Sequence, residues 1–223
     1  MYAKTEQPRP TTEPKELYKA GPITIRTLVD TEEDGEFYGR LMMEAFRDKM
    51  VHATNESAMP VILENITNHC RGRPLDFYDQ NAVAEYNGER AGICGVYFKD
   101  DDKKFPREFS TAGIGCCGLL RLACLDSCMA EKIKEGYCCL DYLSVSEEFR
   151  GKGIGKILLD IAEENARKHK CQAIFLIVLW TNPARRLYSR QGYDVTKTST
   201  CCRKTIVGER KIARMDKSLF NTI

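Results

Sequence analysis

The spacing of apolar and polar residues predicts regular structure along most of the chain after residue 22. Residues 23–28 alternate between apolar and polar, as the residues of a half-buried strand do. Apolar residues between 37 and 46 recur at helical spacing, with Asp34 placed to cap that helix. A second helix is predicted from about 57 to 70. The predicted fold therefore begins with one strand and two helices.

A hairpin and an alternating series of elements follow. The two strand-like runs 82–86 and 90–97 flank Asn87-Gly88, a strong signal for a two-residue turn. The long connection 100–137 contains helical spacing over 116–129. Strand, helix, strand and closing strand patterns come next, at 138–145, 154–167, 173–180 and 211–216. Strands that alternate with helices indicate parallel pairing, so the sequence predicts a mixed α/β sheet.

The first 21 residues differ from the rest. They are polar, and Pro8, Pro10 and Pro14 interrupt any helix. The sequence predicts a disordered tail over 1–21 and a single domain over 22–223, a length that suits one sizeable core.

The segment Arg150-Gly151-Lys152-Gly153-Ile154-Gly155 lies where a predicted strand turns into a predicted helix. Three glycines let the backbone come close to a ligand, and the first turn of a helix offers unpaired N–H groups and a positive dipole end. The sequence therefore predicts a phosphate-binding turn. Its spacing is not that of a P-loop. It also lacks the third glycine of the dinucleotide fingerprint, because position 156 is Lys and position 158 is Leu.

Composition narrows the class of protein. The 34 basic and 32 acidic residues give a net charge of +2. This charge is too small to create an electrostatic field that attracts nucleic acid or a membrane surface. The apolar run 173–180 is too short to span a bilayer, and the N-terminus has no apolar signal core, so a cytoplasmic location is predicted. The 11 cysteines are odd in number and lack zinc-site spacing, which predicts reduced thiols and no metal.

Two motifs carry a family resemblance. The glycine turn matches R/Q-x-x-G-x-G, the pyrophosphate loop of the GNAT acetyltransferase superfamily. The segment from Asn182 to Tyr193 resembles the second GNAT motif, N-x-x-A-x-x-x-Y-x-x-x-G-[FY], in the order of Asn182, Tyr188, Gly192 and Tyr193. With Asn182 as the first residue, the alanine position is Arg185, a departure from the family. The phrase that begins at Leu143 and ends at the glycine turn is similar to animal arylalkylamine N-acetyltransferases.

The resemblance implies a fold and a co-substrate. The fold is a single-domain GNAT-type α/β fold with a mixed, mostly antiparallel sheet, a central pair of parallel strands that splay apart, and flanking helices. Acetyl-CoA is the implied co-substrate, and Tyr188 is the implied acid that protonates the leaving sulfur. The residues expected to bind the cofactor are Leu143, Ser144 and Val145 along pantetheine, Arg150, Gly151, Lys152, Gly153, Ile154 and Gly155 at the pyrophosphate, and Asn182, Arg185 and Tyr188.

The base that accepts the proton of the amine stays open. Asp141 lies two residues before Leu143, which in a regular strand places both on one face. The histidines of vertebrate relatives correspond to Cys139 and Asp141 here. Insect relatives use a glutamate after the first helix, where this chain has Lys49; Glu44 and Asp48 are the nearby carboxylates. A water chain is the third alternative.

The predicted function is transfer of an acetyl group from acetyl-CoA to a primary amine of a small molecule, of arylalkylamine or polyamine type, in a direct ternary complex. Acetylation of a protein N-terminus or lysine is one alternative, and a non-catalytic CoA-binding module is another. We expect a monomer or a homodimer. The sequence does not name the amine, because acceptor pockets are formed by variable helices and loops.

Overall fold

The computed structural model describes residues 13–104, 110–111, 114–129, 131–200 and 211–220. The strands are β1 (Glu16–Ala20), β2 (Ile23–Thr27), β3 (Asn81–Tyr86), β4 (Glu89–Tyr97), β5 (Tyr137–Val145), β6 (Ala173–Leu179), β7 (Asp194–Thr200) and β8 (Lys211–Ser218). The helices are α1 (Glu32–Ala53), α2 (Met59–His69), α3 (Leu75–Asp79), α4 (Asp101–Lys104), α5 (Cys116–Met129), α6 (Ile154–Lys168) and α7 (Arg185–Arg190). Short 3₁₀ turns cover Glu56–Ala58 and Glu147–Phe149.

The described strands form one sheet in the order β1-β2-β3-β4-β5-β6-β8-β7. Every neighbouring pair is antiparallel except β5 and β6, which are parallel. This confirms the predicted α/β fold with a mostly antiparallel sheet and one central parallel pair.

The parallel pair stays together only at its start. Backbone partners join β5 to β6 at Tyr137↔Ala173, Cys138↔Ile174 and Cys139↔Phe175. Beyond this point β5 pairs with β4 alone, and β6 pairs with β8 alone. A gap therefore opens between the two strands toward their carboxyl ends, as the resemblance implies.

Helix α6 covers one face of the sheet. Its buried stripe, at helical spacing, consists of Ile154, Leu158, Leu159, Ala162 and Ala166. These residues join the apolar side chains of β4, β5 and β6 in the main core, and each fully buried leucine contributes about 1.5–3 kcal/mol. Burial of this stripe fixes the start of α6 at the edge where the gap opens.

Helices α1, α2 and α5 cover the opposite face. The start of α1 is capped by Thr31, whose hydroxyl accepts a hydrogen bond from the Asp34 amide. Asp34 lies within the first turn, so its prediction as the cap is wrong. Its fully buried carboxylate binds Arg26 through two hydrogen bonds of 2.7 and 2.8 Å and Arg90 through one of 2.7 Å. These ion pairs attach α1 to β2 and β4.

Most of the predicted elements are present, and the predicted extent of the tail is wrong. The hairpin, α5 and the strand–helix–strand series agree with the sequence within a few residues. The predicted tail over 1–21 is wrong for residues 16–20, which form β1 and pair with β2. Residues 1–12 lie outside the described part. In the described part, no helix is both long and apolar enough to cross a membrane.

Candidate active site

The glycine turn forms an anion-binding backbone at the start of α6. Gly151 and Gly153 have left-handed φ angles of +79° and +83°, which favour glycine, and a Cβ at either would meet no atom within 4 Å. Within the described chain, no acceptor pairs with the amides of residues 151–155. The turn is held in place because Arg150 Nε donates to the Val145 carbonyl over 3.1 Å. Free amides, open space above them and the helix dipole together suit a phosphate group.

The side chain of Lys152 does not extend freely from this turn. Its ammonium lies 4.5 Å from the ring centroid of Tyr86 and 4.9 Å from that of Phe149, within the range of cation–π contacts. The Lys152 ammonium therefore lies against these two aromatic rings, and the backbone amides of the turn are left for a ligand.

Strand β5, α6 and α7 meet beside the gap. A Cβ added to Gly155 would lie 3.4 Å from Leu187 Cδ2 and 3.8 Å from Leu143 Cδ2. Leu143 and Val145 are partly buried against the core beneath α6, and Ser144 is also partly buried. The segment predicted to lie along pantetheine thus borders both the gap and the phosphate-binding turn.

Tyr188 of α7 is buried in the main core, with 6% of its surface exposed. Burial raises the pKa of its hydroxyl to about 12, so the phenol keeps its proton at neutral pH. Its ring lies 6.0 Å from that of Tyr193. No described residue forms a hydrogen bond with the hydroxyl. A protonated, unpaired phenol beside the gap can donate a proton to a ligand that enters there.

Asp141 lies in a β-bulge at the point where β5 leaves β6. Gly95 pairs with Tyr142 and Val96 pairs with Leu140, so Asp141 is an extra residue on β5. The alternation of side chains breaks there: Leu140 and Leu143, three residues apart, both pack on the α6 side. The predicted placement of Asp141 on the face of Leu143 by a two-residue spacing is therefore wrong. Asp141 is exposed, two residues beyond the last partner of β6.

The alternative carboxylates lie on α1. Glu44 is exposed on that helix. The side chain of Asp48 lies outside the described part. The structure thus places Asp141 at the apex of the gap.

The entrance to α7 explains two further predicted residues. Asn182 Oδ1 accepts a hydrogen bond of 2.9 Å from the Ala184 amide, which fixes the turn before the helix. The Arg185 guanidinium stacks 3.8 Å from the Trp180 ring centroid and donates to the Trp180 carbonyl over 2.8 Å. Lys211 lies 3.4 Å from the same ring. The side chain of Arg185 is therefore engaged with Trp180.

The motif alignment also needs correction. Counted back from Tyr188, the alanine of A-x-x-x-Y is Ala184 and not Arg185. Ala184 is partly buried against the main core, as a small residue at this position would be. Arg185 is thus no departure from the family, and the asparagine is displaced by one residue instead.

Sequence reasoning missed the residues around the bulge. Tyr142 is 7% exposed and Asn81 is 6% exposed, and their side chains join across β4 at Gly95. The available signal was a glycine inside the apolar run 90–97, since such a glycine marks a bulge or a close approach.

A cavity of about 310 Å³ lies at the other end of α6. Its walls include Gln80, Asn81, Ile161 and Asn165, so it is separate from the glycine turn. Among the residues that the structure describes, no group of three His, Cys, Asp or Glu side chains is placed to hold a metal ion. The described cysteines are free thiols: Cys70, Cys94, Cys116, Cys117, Cys124, Cys138, Cys139 and Cys171.

Comparison with known families identifies the family of this chain. The model of the acetyltransferase (GNAT) family matches residues 40–193, which include β5, the glycine turn and Tyr188. The chain belongs to this family and is a transferase that uses acetyl-CoA as co-substrate. No curated protein matches it.

Several solved structures share the fold. One described as an acetyltransferase has 27% identity and a TM-score of 0.56, and the match covers 88% of this chain and 99% of that one. The PaiA N-acetyltransferase of Thermoplasma acidophilum, in complex with coenzyme A, has 19% identity, a TM-score of 0.51 and coverage of 88% and 98%. The ribosomal-protein-S18-alanine N-acetyltransferase of Escherichia coli has 13% identity, a TM-score of 0.51 and coverage of 90% and 96%.

Proposed function

We propose that this acetyltransferase moves the acetyl group of acetyl-CoA directly to a primary amine of a small molecule, of arylalkylamine or polyamine type. The observation that carries the proposal is the meeting of three features at one edge of the sheet. These are the free amides of residues 151–155, the gap between β5 and β6, and the protonated Tyr188 beside that gap. A phosphate-binding turn, a slot for an extended arm and a proton donor are the parts that acyl transfer from CoA requires.

Each residue has a role in the proposed reaction. The amides of 151–155 hold the pyrophosphate, and Leu143–Val145 offer backbone groups to pantetheine. The amine nitrogen attacks the thioester carbonyl, the C–N bond forms and the C–S bond breaks with its electron pair on sulfur. Tyr188 gives its proton to that sulfur. A free alkylammonium has a pKa of about 10.4, so Asp141 first takes one proton from it, directly or through water, to give the neutral amine that attacks. The second proton, which the nitrogen loses as the amide forms, restores the Tyr188 phenol.

The arrangement of α5 supports a small acceptor. Helix α6 and the core fill one face of the gap, so an acceptor approaches from the other face. There Leu122 of α5 packs against Ile212 of β8 and also against the cluster that contains Met59 and Ile62 of α2. Helix α5 thus spans from α2 to β8 over this face. A single amine passes such a cover more readily than a folded protein terminus does.

The test is a panel of acceptors with acetyl-CoA, with release of the CoA thiol as the readout. The panel contains arylalkylamines, polyamines, peptides with a free N-terminus and peptides with an internal lysine. We expect release with a small amine. Release with peptides alone would contradict the proposed acceptor. CoA binding by calorimetry with no release from any acceptor would instead favour a binding module.

A further inference from the structure

Three residues in one row of the sheet lie beside the bulge. Asn81 of β3 pairs with Gly95 of β4, and Gly95 pairs with Tyr142 of β5. The Tyr142 side chain reaches across β4, and its hydroxyl donates a hydrogen bond of 2.5 Å to Asn81 Oδ1. Asn81 Nδ2 in turn donates to the Phe77 carbonyl over 2.5 Å. The row therefore ties β5 to the strand two positions away.

Only glycine at position 95 permits this crossing. A Cβ on Gly95 would lie 2.3 Å from Asn81 Oδ1 and 2.5 Å from Tyr142 Cε1, distances that real Cβ atoms do not show. The tyrosine ring and the amide thus occupy the space that a side chain at position 95 would need.

Tyr142 is also held from the other side. Its ring meets the ring of Tyr38 on α1 edge to face, with centroids 5.3 Å apart. Burial raises the pKa of the Tyr142 hydroxyl well above its usual value, so the hydroxyl remains a donor. A ring fixed by α1, Gly95 and Asn81 has one position relative to β4.

The position of Tyr142 decides where the extra residue of β5 lies. A bulge that moved by one residue toward Leu143 would pair Asp141 with Gly95 and turn Tyr142 out of its cluster. We propose that the Tyr142–Asn81 hydrogen bond across Gly95 fixes the bulge at Asp141 and so positions Asp141 for acetyl transfer. Tyr142 and Asn81 are then positioning residues, and this inference rests on the proposed function.

The consequence is kinetic. Asp141 directly precedes Tyr142, whereas the phosphate-binding turn is separated from it by the rest of β5 and by the 3₁₀ turn. Loosening of the bulge therefore displaces Asp141 and leaves the phosphate contacts in place. Displacement by about 1 Å can lower a catalysed rate by up to about 100-fold.

The test uses Tyr142→Phe, which removes the hydroxyl and keeps the ring. We expect kcat to fall by about 10-fold to 100-fold, with the Kd of CoA changed by less than about threefold. The matched control is Tyr78→Phe. Tyr78 is another buried tyrosine of the same apolar cluster, and its hydroxyl donates to the Cys70 carbonyl over 3.0 Å. The control should keep the wild-type kcat.

Two further measurements separate positioning from general stability. If the two side chains act through one hydrogen bond, the double variant Tyr142→Phe/Asn81→Ala should lose no more kcat than the worse single variant, within about threefold. Amide exchange over residues 140–144 should be at least about 10-fold faster in Tyr142→Phe than in Tyr78→Phe. The exchange measurement needs no acceptor.

The outcomes are distinct. A Tyr142→Phe protein with wild-type kcat, or with the loss that Tyr78→Phe shows, overturns the positioning role while the proposed function stands. Equal exchange over 140–144 in both variants overturns the fixing of the bulge. A wild-type protein that binds CoA and transfers acetyl to no acceptor overturns the proposed function and the kinetic part of the inference, and exchange still decides whether the hydrogen bond fixes the bulge.

Discussion

Replacement of Gly153 by valine tests the phosphate-binding turn at its most constrained position. A non-glycine residue at φ +83° costs about 1–2 kcal/mol, and no neighbouring atom adds a clash. A domain of ordinary stability, about 5–15 kcal/mol, remains folded after such a loss. Relief of the strain changes φ and rotates the amides that face the phosphate. Loss of one hydrogen bond to a charged group costs about 1.5–3 kcal/mol, which corresponds to a roughly 10-fold to 100-fold rise in the Kd of CoA.

The assay is calorimetric titration with CoA, together with urea unfolding of the same samples. Gly72→Val is the matched control, because Gly72 also has a left-handed φ of +63° and open space around its Cα. We expect Gly72→Val to lose stability and to keep the wild-type Kd. A folded Gly153→Val protein that binds CoA as tightly as the wild type refutes the role of the turn. An equal loss of affinity in Gly72→Val would show that the effect is global.

Three further predictions concern the acid, the base and the fold. Tyr188→Phe should lower kcat by about 10²–10⁴-fold at unchanged CoA affinity, as steady-state kinetics and calorimetry measure, and wild-type turnover would make Tyr188 structural. Among Asp141→Asn, Glu44→Gln and Asp48→Asn, we expect the first alone to lower turnover and alter the acidic limb of the pH–rate profile. Loss in either of the other two instead assigns the base to α1, and no loss in any favours a water chain. Asp34→Asn should lower the free energy of unfolding by about 3–5 kcal/mol at pH 7, since it leaves buried arginine charge unpaired. Arginine neighbours hold the pKa of Asp34 below its usual value, so its stabilisation is complete above the unfolded value of about 3.9 and is lost as the pH falls toward the folded value. The difference between Asp34→Asn and the wild type in urea should therefore shrink below about pH 4, and a constant difference would contradict this.

The elements that the sequence predicts well are those with strong local signals. The turn at Asn87-Gly88 has φ angles of +53° and +82°, the left-handed pair that this dipeptide favours. Helix α5 begins and ends where the apolar spacing predicts. In both cases the preference of a few neighbouring residues agrees with the tertiary structure.

Strand β1 is an element that local sequence signals do not predict. All but one of its residues are exposed, so it has no buried face for a periodic pattern to mark. It is an edge strand held by backbone pairs to β2, and the pairing continues as the Thr27 amide donates to the Lys15 carbonyl over 2.9 Å. Such pairing depends on the neighbouring strand and leaves little trace in composition.

Some parts of the candidate site could also be predicted from local sequence signals, and others could not. Glycines predicted the phosphate-binding turn because a left-handed backbone requires them, and the order of elements predicted the parallel pair. The bulge at Asp141 was not predicted, because one extra residue in an apolar strand looks like continued alternation. Its cause is distant in sequence: Asn81 lies 61 residues from its hydrogen-bond partner Tyr142. The two-residue spacing of Asp141 and Leu143 carries no information about a contact between β5 and β3.

Arg185 shows why a motif is best counted from the residue with the strongest structural constraint. Tyr188 is fixed by its burial in the core, whereas Asn182 lies in the turn before α7. Counting from the tyrosine assigns the small position to Ala184. The Arg185 guanidinium lies 3.8 Å from the Trp180 ring centroid, and the Lys211 ammonium lies 3.4 Å from the same centroid. Two cations thus contact one indole just after the carboxyl end of β6, and the role of Arg185 in binding the cofactor stays a prediction.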